Sequence, residues 1–251
     1  MTKVLIAGIF GRMGTTITRM VEEHPDLELA GGVDIKTGSV SGKPVVTSDG
    51  LAALIDEVKP DVMIDFTMAA ATMVNAKIAA SKGVNLVIGT TGFTPEQDAE
   101  LLEAVKNVAV VKTTNFSVGV NIFWELVRDA AKRLGDYDIE VIEAHHRNKK
   151  DAPSGTAKTI LRILEEETGK TEEMYGRQGM TERKDEIGVH VIRGGDVVGD
   201  HTVQFHQNFE TIELTHRAYD RSVFARGAVR AAAWVPSADP GLYTMKEVLG
   251  L

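Results

Sequence analysis

The sequence predicts an α/β chain: a doubly wound parallel sheet plus a second α+β domain built on a mixed sheet. Three observations carry this. Short apolar runs alternate with amphipathic stretches through the first half, a spacing that calls for right-handed βαβ units. A glycine-rich turn, Gly8-Ile9-Phe10-Gly11-Arg12-Met13-Gly14, separates the first apolar run from the first helical one. After about Asn115 the pattern changes to long helices and alternating strands.

Taken in order, Lys3–Ala7 reads as a buried strand and Arg12–Glu23 as a helix. His24–Pro25 ends that helix, because a proline disfavours helical geometry in the residue before it. Glu28–Val33 is the second strand. Leu51–Val58 is a helix stopped at Lys59–Pro60. Strands follow at Asp61–Phe66, Val84–Ile88 and Val108–Lys112, separated by helices at Ala69–Ser81 and Pro95–Lys106. In the second half, a helix over Val118–Leu134 leads to a strand at Tyr137–Ala144 and a basic loop. The next helix places Ala157, Ile160, Leu161 and Leu164 on one face and stops at Gly169. Glu172–Glu186 reads as an exposed polar loop, and Gly188–Arg193, Thr202–Gln207 and Thr211–Ala218 as strands. A last helix from about Arg221 to Trp234 precedes a tail, Gly241–Leu251, that returns to the first domain. The expected division is 1–116 with 226–251 for one domain and 117–225 for the other.

Composition narrows the function. With 28 Lys and Arg against 36 Asp and Glu, the formal charge is −8. A net acidic chain without a basic tail argues against nucleic-acid binding. The chain contains no Cys, which removes disulfides, thiolate nucleophiles, iron–sulfur clusters and Cys-ligated zinc. Apolar runs such as Val84–Phe93 fall short of the ~20 residues of a membrane span. The first residues read as a strand with no signal-peptide pattern. A cytoplasmic protein is the expectation.

The glycine turn has the spacing G-x-x-G-x-x-G. Gly8 permits the tight turn, Gly11 lets backbone N–H groups approach a pyrophosphate, and Gly14 lets helix and strand pack closely. The helix N-terminus adds partial positive charge for an anion. Asp34 ends the second strand twenty residues after Gly14, where a carboxylate accepts hydrogen bonds from adenosine ribose hydroxyls. Together these make a Rossmann-like dinucleotide site. Asp34 favours NADH, whereas Lys36 and Arg12 are near enough in sequence to offset its repulsion of a 2′-phosphate. Two further turns at strand ends, Gly89-Thr90-Thr91 and Thr113-Thr114-Asn115-Phe116, are read as cofactor contacts.

The stretch Glu143–Ala157, EAHHRNKKDAPSGTA, is the most informative. Five of the six positions from 145 to 150 can carry positive charge, directly before the start of an amphipathic helix. The backbone N–H groups of Ser154, Gly155 and Thr156 lie in its first turn without helical acceptors. Basic side chains beside such a helix start form a site for a carboxylate or phosphate. A histidine here is a natural proton donor near neutral pH. No third metal ligand is evident, since His201 and His206 fall on opposite faces of a strand, and no metal is expected.

The whole chain resembles the 4-hydroxy-tetrahydrodipicolinate reductase family. The resemblance rests on GIFGRMG, Asp65-Phe66-Thr67, GTTGF, NFSVGVN, the EAHHRNKKDAPSGTA block, Gly199–Thr202, Phe224–Arg230 and Pro240–Leu251. It implies an NADH- or NADPH-dependent homotetramer of lysine and diaminopimelate biosynthesis, acting on a small cyclic dicarboxylate. It implies dinucleotide binding for the domain of 1–116 with 226–251, and substrate binding and oligomerisation for 117–225. It further implies His145 as catalytic acid and Lys149 as second proton donor or substrate activator. His146, Gly155 and Thr156 become substrate contacts, and Gly8 to Met13, Asp34, Gly89–Thr91 and Thr113–Phe116 nucleotide contacts. Two departures bear on nucleotide preference: Ile35 follows the ribose-binding acid where a basic residue is common, and Thr113-Thr114 stand where small alanines are common. Other readings are a non-catalytic dinucleotide sensor, which gives no reason for two His and a Lys beside an anion site, and a homoserine dehydrogenase, whose motifs do not match. An aspartate-semialdehyde dehydrogenase needs a nucleophilic Cys.

Overall fold

In the computed structural model, which describes residues 1–251, the apolar runs of the first half are strands that feed two cores at once. Eight strands form the first sheet: β1 (Thr2–Ala7), β2 (Leu27–Val33), β3 (Gly38–Val40), β4 (Lys43–Val46), β5 (Val62–Asp65), β6 (Asn85–Ile88), β7 (Ala109–Lys112) and, from the tail, β13 (Gly241–Tyr243). Their order is β13-β7-β6-β5-β1-β2-β4-β3, parallel throughout except for the β3–β4 hairpin. Side chains alternate across a strand. Val4 and Ile6 of β1 therefore pack with Ile17 and Val21 of α1 (Arg12–Glu22) and Ala228 and Ala232 of α7 (Ser222–Trp234). Leu5 and Ala7 pack on the other face with Leu54 of α2 (Leu51–Val58), Ala76 of α3 (Ala69–Ser81) and Leu101 of α4 (Pro95–Ala104). Burial on both faces is why these strands read as unbroken hydrophobic runs.

The chain turns outward from β1 to β2 and then crosses back to β5 on the other side of β1. Ligands bind at such a switch point, beyond the carboxyl ends of the strands. The β3–β4 hairpin was not among the expected strands. Its signal is short: Ser41 and Gly42 both take positive φ, 50° and 75°, the backbone of a two-residue hairpin turn.

The second sheet has the order β12-β11-β8-β10-β9, from β8 (Asp138–His145), β9 (Glu173–Tyr175), β10 (Ile187–Arg193), β11 (Gly199–Gln207) and β12 (Glu210–Ala218). It is mixed: β8, β10 and β9 run parallel, and β11 is antiparallel to β8 and β12. α5 (Val118–Arg133) and α6 (Gly155–Thr168) cover one face, with Phe123, Trp124, Ile160 and Leu164 over Ile139, Val141, Val203 and Phe205. The stretch Glu172–Glu186, expected as loop, contains the three-residue edge strand β9. Two of its three residues are exposed, so it carries no alternation to read. The chain forms two compact units, Met1–Val118 with Ser222–Leu251, and Gly119–Arg221; the sequence had suggested divisions at 116/117 and 225/226. No helix is long and apolar enough to cross a membrane.

Candidate active site

The first unit carries a phosphate-type cradle. Gly8 has φ +69°, and a Cβ on Gly14 would lie 2.1 Å from the Gly8 carbonyl oxygen, so the turn and α1 meet backbone to backbone. Gly11 caps α1 with no side-chain hydrogen bond, leaving the positive end of the helix to its own first-turn amides. Phe10 and Arg12 are exposed, and Met13 packs partly against the core. Ile9 is buried under Gly32, so only its main chain is available to a ligand. Asp34 Oδ2 accepts the Phe10 N–H at 2.9 Å, and Oδ1 accepts the Ile35 N–H at 2.7 Å. A cavity of about 360 Å³ opens beside it, lined by Gly8, Asp34, Thr47, Asp49, Thr67 and Met68 among others. Thr47 and Asp49 escaped the sequence reading because the hairpin that delivers them did.

The two other turns flank a second cavity of about 360 Å³ at the ends of β6 and β7, lined by Thr90, Thr91, Phe93, Lys112, Thr113 and Thr114. Gly89 is required here, since a Cβ would fall 2.2 Å from the Phe66 ring. Asp65 ties the Gly89–Thr91 turn to the end of β5. Its Oδ1 accepts from the Thr67 N–H and hydroxyl, at 2.9 and 2.6 Å, and from the Thr90 hydroxyl at 3.1 Å. Burial nevertheless raises its carboxyl above the usual range. Asn115 accepts the Ser117 N–H at 2.8 Å, and the Phe116 ring is core, 5.2 Å from that of Phe66.

In the second unit, the buried row of β8 changes chemistry along its length: Ile139 and Val141, then Glu143 and His145. The inward row of β11 does the same, from Phe205 and Val203 to His201 and Gly199, and His201 is the register partner of Glu143. The titratable ends of both rows converge. His145 Nδ1 lies 2.6 Å from Glu143 Oε2 as an ion-pair contact, and no hydrogen bond from any other group reaches either atom. Glu143 Oε1 accepts from Arg193 at 2.9 Å and from the Ser154 N–H at 3.0 Å. Burial pushes this carboxyl up, but the bonds from His145, Arg193 and Ser154 outweigh it and hold it at about 2. His201 Nε2 lies 3.1 Å from Ser154 Oγ, and its ring stands edge-on to His145 at 5.1 Å. Burial, then the charge of His145, lower His201 to about 3.

Ser154 caps α6, its Oγ accepting the Ala157 N–H at 3.2 Å. Its own amide is already given to Glu143, which corrects the expectation that it is open to an anion. Gly155 and Thr156 form the first turn of α6, with Gly155 exposed and Thr156 buried. Lys149 Nζ pairs with Asp151 Oδ1 at 2.9 Å. His146 lies past the end of the strand, its Nε2 3.2 Å from Arg221; burial and the charges of Arg221, His145 and Lys149 lower its pKa. A third group beside His145 and Glu143, not evident in the sequence, is His201, all within 4.8 Å. The carboxylate is already engaged by an arginine, an amide and an imidazole, the arrangement of an acid–base cluster rather than of an open ligand set. Glu143, Arg193 and His201 were all missed as site residues. Their signal is a charged or polar residue at an inward position of a strand.

Comparison with known proteins accounts for both units. Residues 2–116 match the family model for the N-terminus of dihydrodipicolinate reductase, and residues 119–249 the model for its C-terminus. The chain belongs to the dihydrodipicolinate reductase family. The reductase of Methanocorpusculum labreanum is 82% identical over 251 residues, covering all of both chains, and that of Methanocaldococcus jannaschii 47% identical over 269, covering 100% of this chain and 98% of the other. A dipicolinate-bound reductase from Paenisporosarcina sp. TG-14 shares the structure with a TM-score of 0.79 at 25% identity, over 97% of each chain. The nucleotide cofactor of this reductase family fits the first unit on two observations: a cradle that side chains at Gly8 and Gly14 would fill, and a helix start without a side-chain cap.

Proposed function

We propose that His145 is the proton donor of the family's reaction in this chain and that the basic loop and α6 bind the substrate. The reaction is the reduction of 4-hydroxy-tetrahydrodipicolinate to tetrahydrodipicolinate, with loss of water, in the diaminopimelate route of lysine biosynthesis. NADH or NADPH, when bound, supplies the hydride. Gly8 to Gly14 hold its pyrophosphate, Asp34 its adenosine ribose, and the Gly89–Thr91 and Thr113–Phe116 turns its remainder. Lys149, His146 and the first-turn amides of Gly155 and Thr156 hold the two carboxylates. His145 Nε2 gives a proton to the electron-rich ring, and Lys149 activates the ring or serves as a second donor. The observation that carries this reading is the buried His145–Glu143 pair directly before a cationic loop and a helix start.

The second sheet is read as the assembly face of a cytoplasmic homotetramer, which light scattering in solution tests. For the reaction, NADH and NADPH oxidation is followed with freshly generated 4-hydroxy-tetrahydrodipicolinate. His145→Asn is expected to lower kcat by about 10²–10⁴ with NADH affinity nearly unchanged. Wild-type turnover by that variant overturns the assignment.

A further inference from the structure

We propose that Glu143 is a positioning residue for the reaction: it holds the His145 ring with Nδ1 protonated and Nε2 presented as the acid, and it anchors the start of α6 with the same carboxylate. The inference rests on the reading of His145 as proton donor.

Geometry supplies the argument. The Glu143 side chain is fully buried, with its two oxygens assigned to different tasks. Oε1 takes the Ser154 amide and Arg193, which fixes the residue that caps α6 and so places Gly155 and Thr156. Oε2 faces His145 Nδ1 and nothing closer, since His201 Nε2 is 3.9 Å away. A carboxylate that accepts the Nδ1–H selects one tautomer and stabilises the imidazolium. The other edge of the ring is fitted just as closely: a Cβ on Gly199 would lie 3.1 Å from Nε2, so glycine leaves that nitrogen its space.

The charges around His145 make the carboxylate necessary. Arg193 comes from β10, paired in register with His145, and Lys149 from the loop; both are cations, while His146 is lowered by burial and by Arg221. Asp151 is occupied with Lys149. His201 and, behind it, His216 on β12 are both lowered first by burial and present uncharged rings. Glu143 is thus the one anionic group in contact with His145.

The test uses the full-length protein. The pH dependence of kcat/KM is measured for the wild type, Glu143→Gln and His145→Asn, together with ¹⁵N-histidine NMR of the wild type, the His145 signals being assigned by their loss in His145→Asn. Glu143→Gln is expected to lower kcat by about 10–100-fold and change substrate KM less. Glu143→Gln removes the anion that lies 2.6 Å from Nδ1, so the alkaline fall in activity is expected to move toward acid. An alkaline limb in Glu143→Gln that coincides with the wild type overturns the positioning role while leaving His145 as donor. A His145→Asn variant that keeps wild-type activity and limb overturns the donor reading, and this inference with it. Should Glu143→Gln fail to fold, the wild-type spectrum decides: neutral His145 protonated at Nδ1 supports the inference, and protonation at Nε2 overturns it.

Discussion

His201 stays uncharged because its ring is taken out of water beside a second imidazole, which outweighs the pull of Glu143. Its pKa falls from an ordinary 6.5 to about 3, so the native state binds fewer protons than the unfolded chain. The stability it contributes is complete above about pH 6.5 and is lost as pH falls toward 3. Glu143, lowered from 4.5 to about 2, acts in the same direction over a more acidic range. Between pH 7 and 5 the His201 contribution is about 2 kcal/mol. Urea unfolding reported by the buried Trp124, in a Trp234→Phe background, reads this loss, and His201→Gln is expected to remove most of it. An unchanged loss in His201→Gln places its origin elsewhere. Asp34 offers a second single-residue test. It shares its cavity with Asp49, and both carboxylates oppose a 2′-phosphate. Asp34→Ala is expected to weaken NADH more than NADPH, because it deletes a hydroxyl acceptor and a repulsive charge together. Equal losses in titrations with the two nucleotides show that Asp34 does not read the ribose.

Helix starts are where elements become sites, and glycines at two of them predict opposite outcomes. At the start of α1, a Cβ on Gly14 meets the fixed backbone of Gly8 and Ile9, at 2.1 and 2.7 Å. Gly14→Ala must push helix from strand, with an expected cost of about 1–3 kcal/mol and a rise in NADH Kd of at least about tenfold. At the start of α6, a Cβ on Gly155 meets nothing within 4 Å, and alanine is the better helix former. Gly155→Ala is expected to keep the wild-type melting temperature and, if an anion approaches that amide, to raise substrate KM alone. Calorimetry and steady-state kinetics on the pair separate packing from binding; a destabilised Gly155→Ala contradicts the open geometry.

A molecule of net charge −8 repels a dianion at long range, so attraction must be local. The loop of His145–Lys150 and the start of α6 supply it. Lys149→Met keeps most of the stem and deletes the charge. The expected result is a raised KM with a smaller fall in kcat, because carboxylate binding is lost in ground and transition states alike. Added salt weakens substrate binding in the wild type and less so in the variant, since a screened pair has been removed. Unchanged KM, kcat and salt response together would make Lys149 a solvated loop residue that only pairs with Asp151.

The architecture was legible from residues that act locally. Glycines at 8, 11 and 14 after a strand, an aspartate at the end of the next, and helices such as Ala69–Ser81 stopping where a cap or breaker demands all express short-range sterics and periodicity. The strands β10, β11 and β12 were legible in the same way, from the apolar residues of Gly188–Arg193, Thr202–Gln207 and Thr211–Ala218. The β3–β4 hairpin and β9 were not, because β3 and β9 are largely exposed edge strands and β4 buries only Val45, unlike the equally short but buried β5, β6 and β7. Ser154 shows a different limit: the sequence located it at a helix start, but which acceptor its amide meets depended on a strand eleven residues away. The Glu143–His145–His201 cluster lies beyond local reading altogether. His201 meets Glu143 only through the antiparallel register of β11 on β8, and Arg193 only through the parallel register of β10. Sequence by itself determined which elements form and which loop carries the charge, since those are set within a few residues. Tertiary structure alone decided which buried acid faces which imidazole, because strand pairing, which no local pattern encodes, sets that contact.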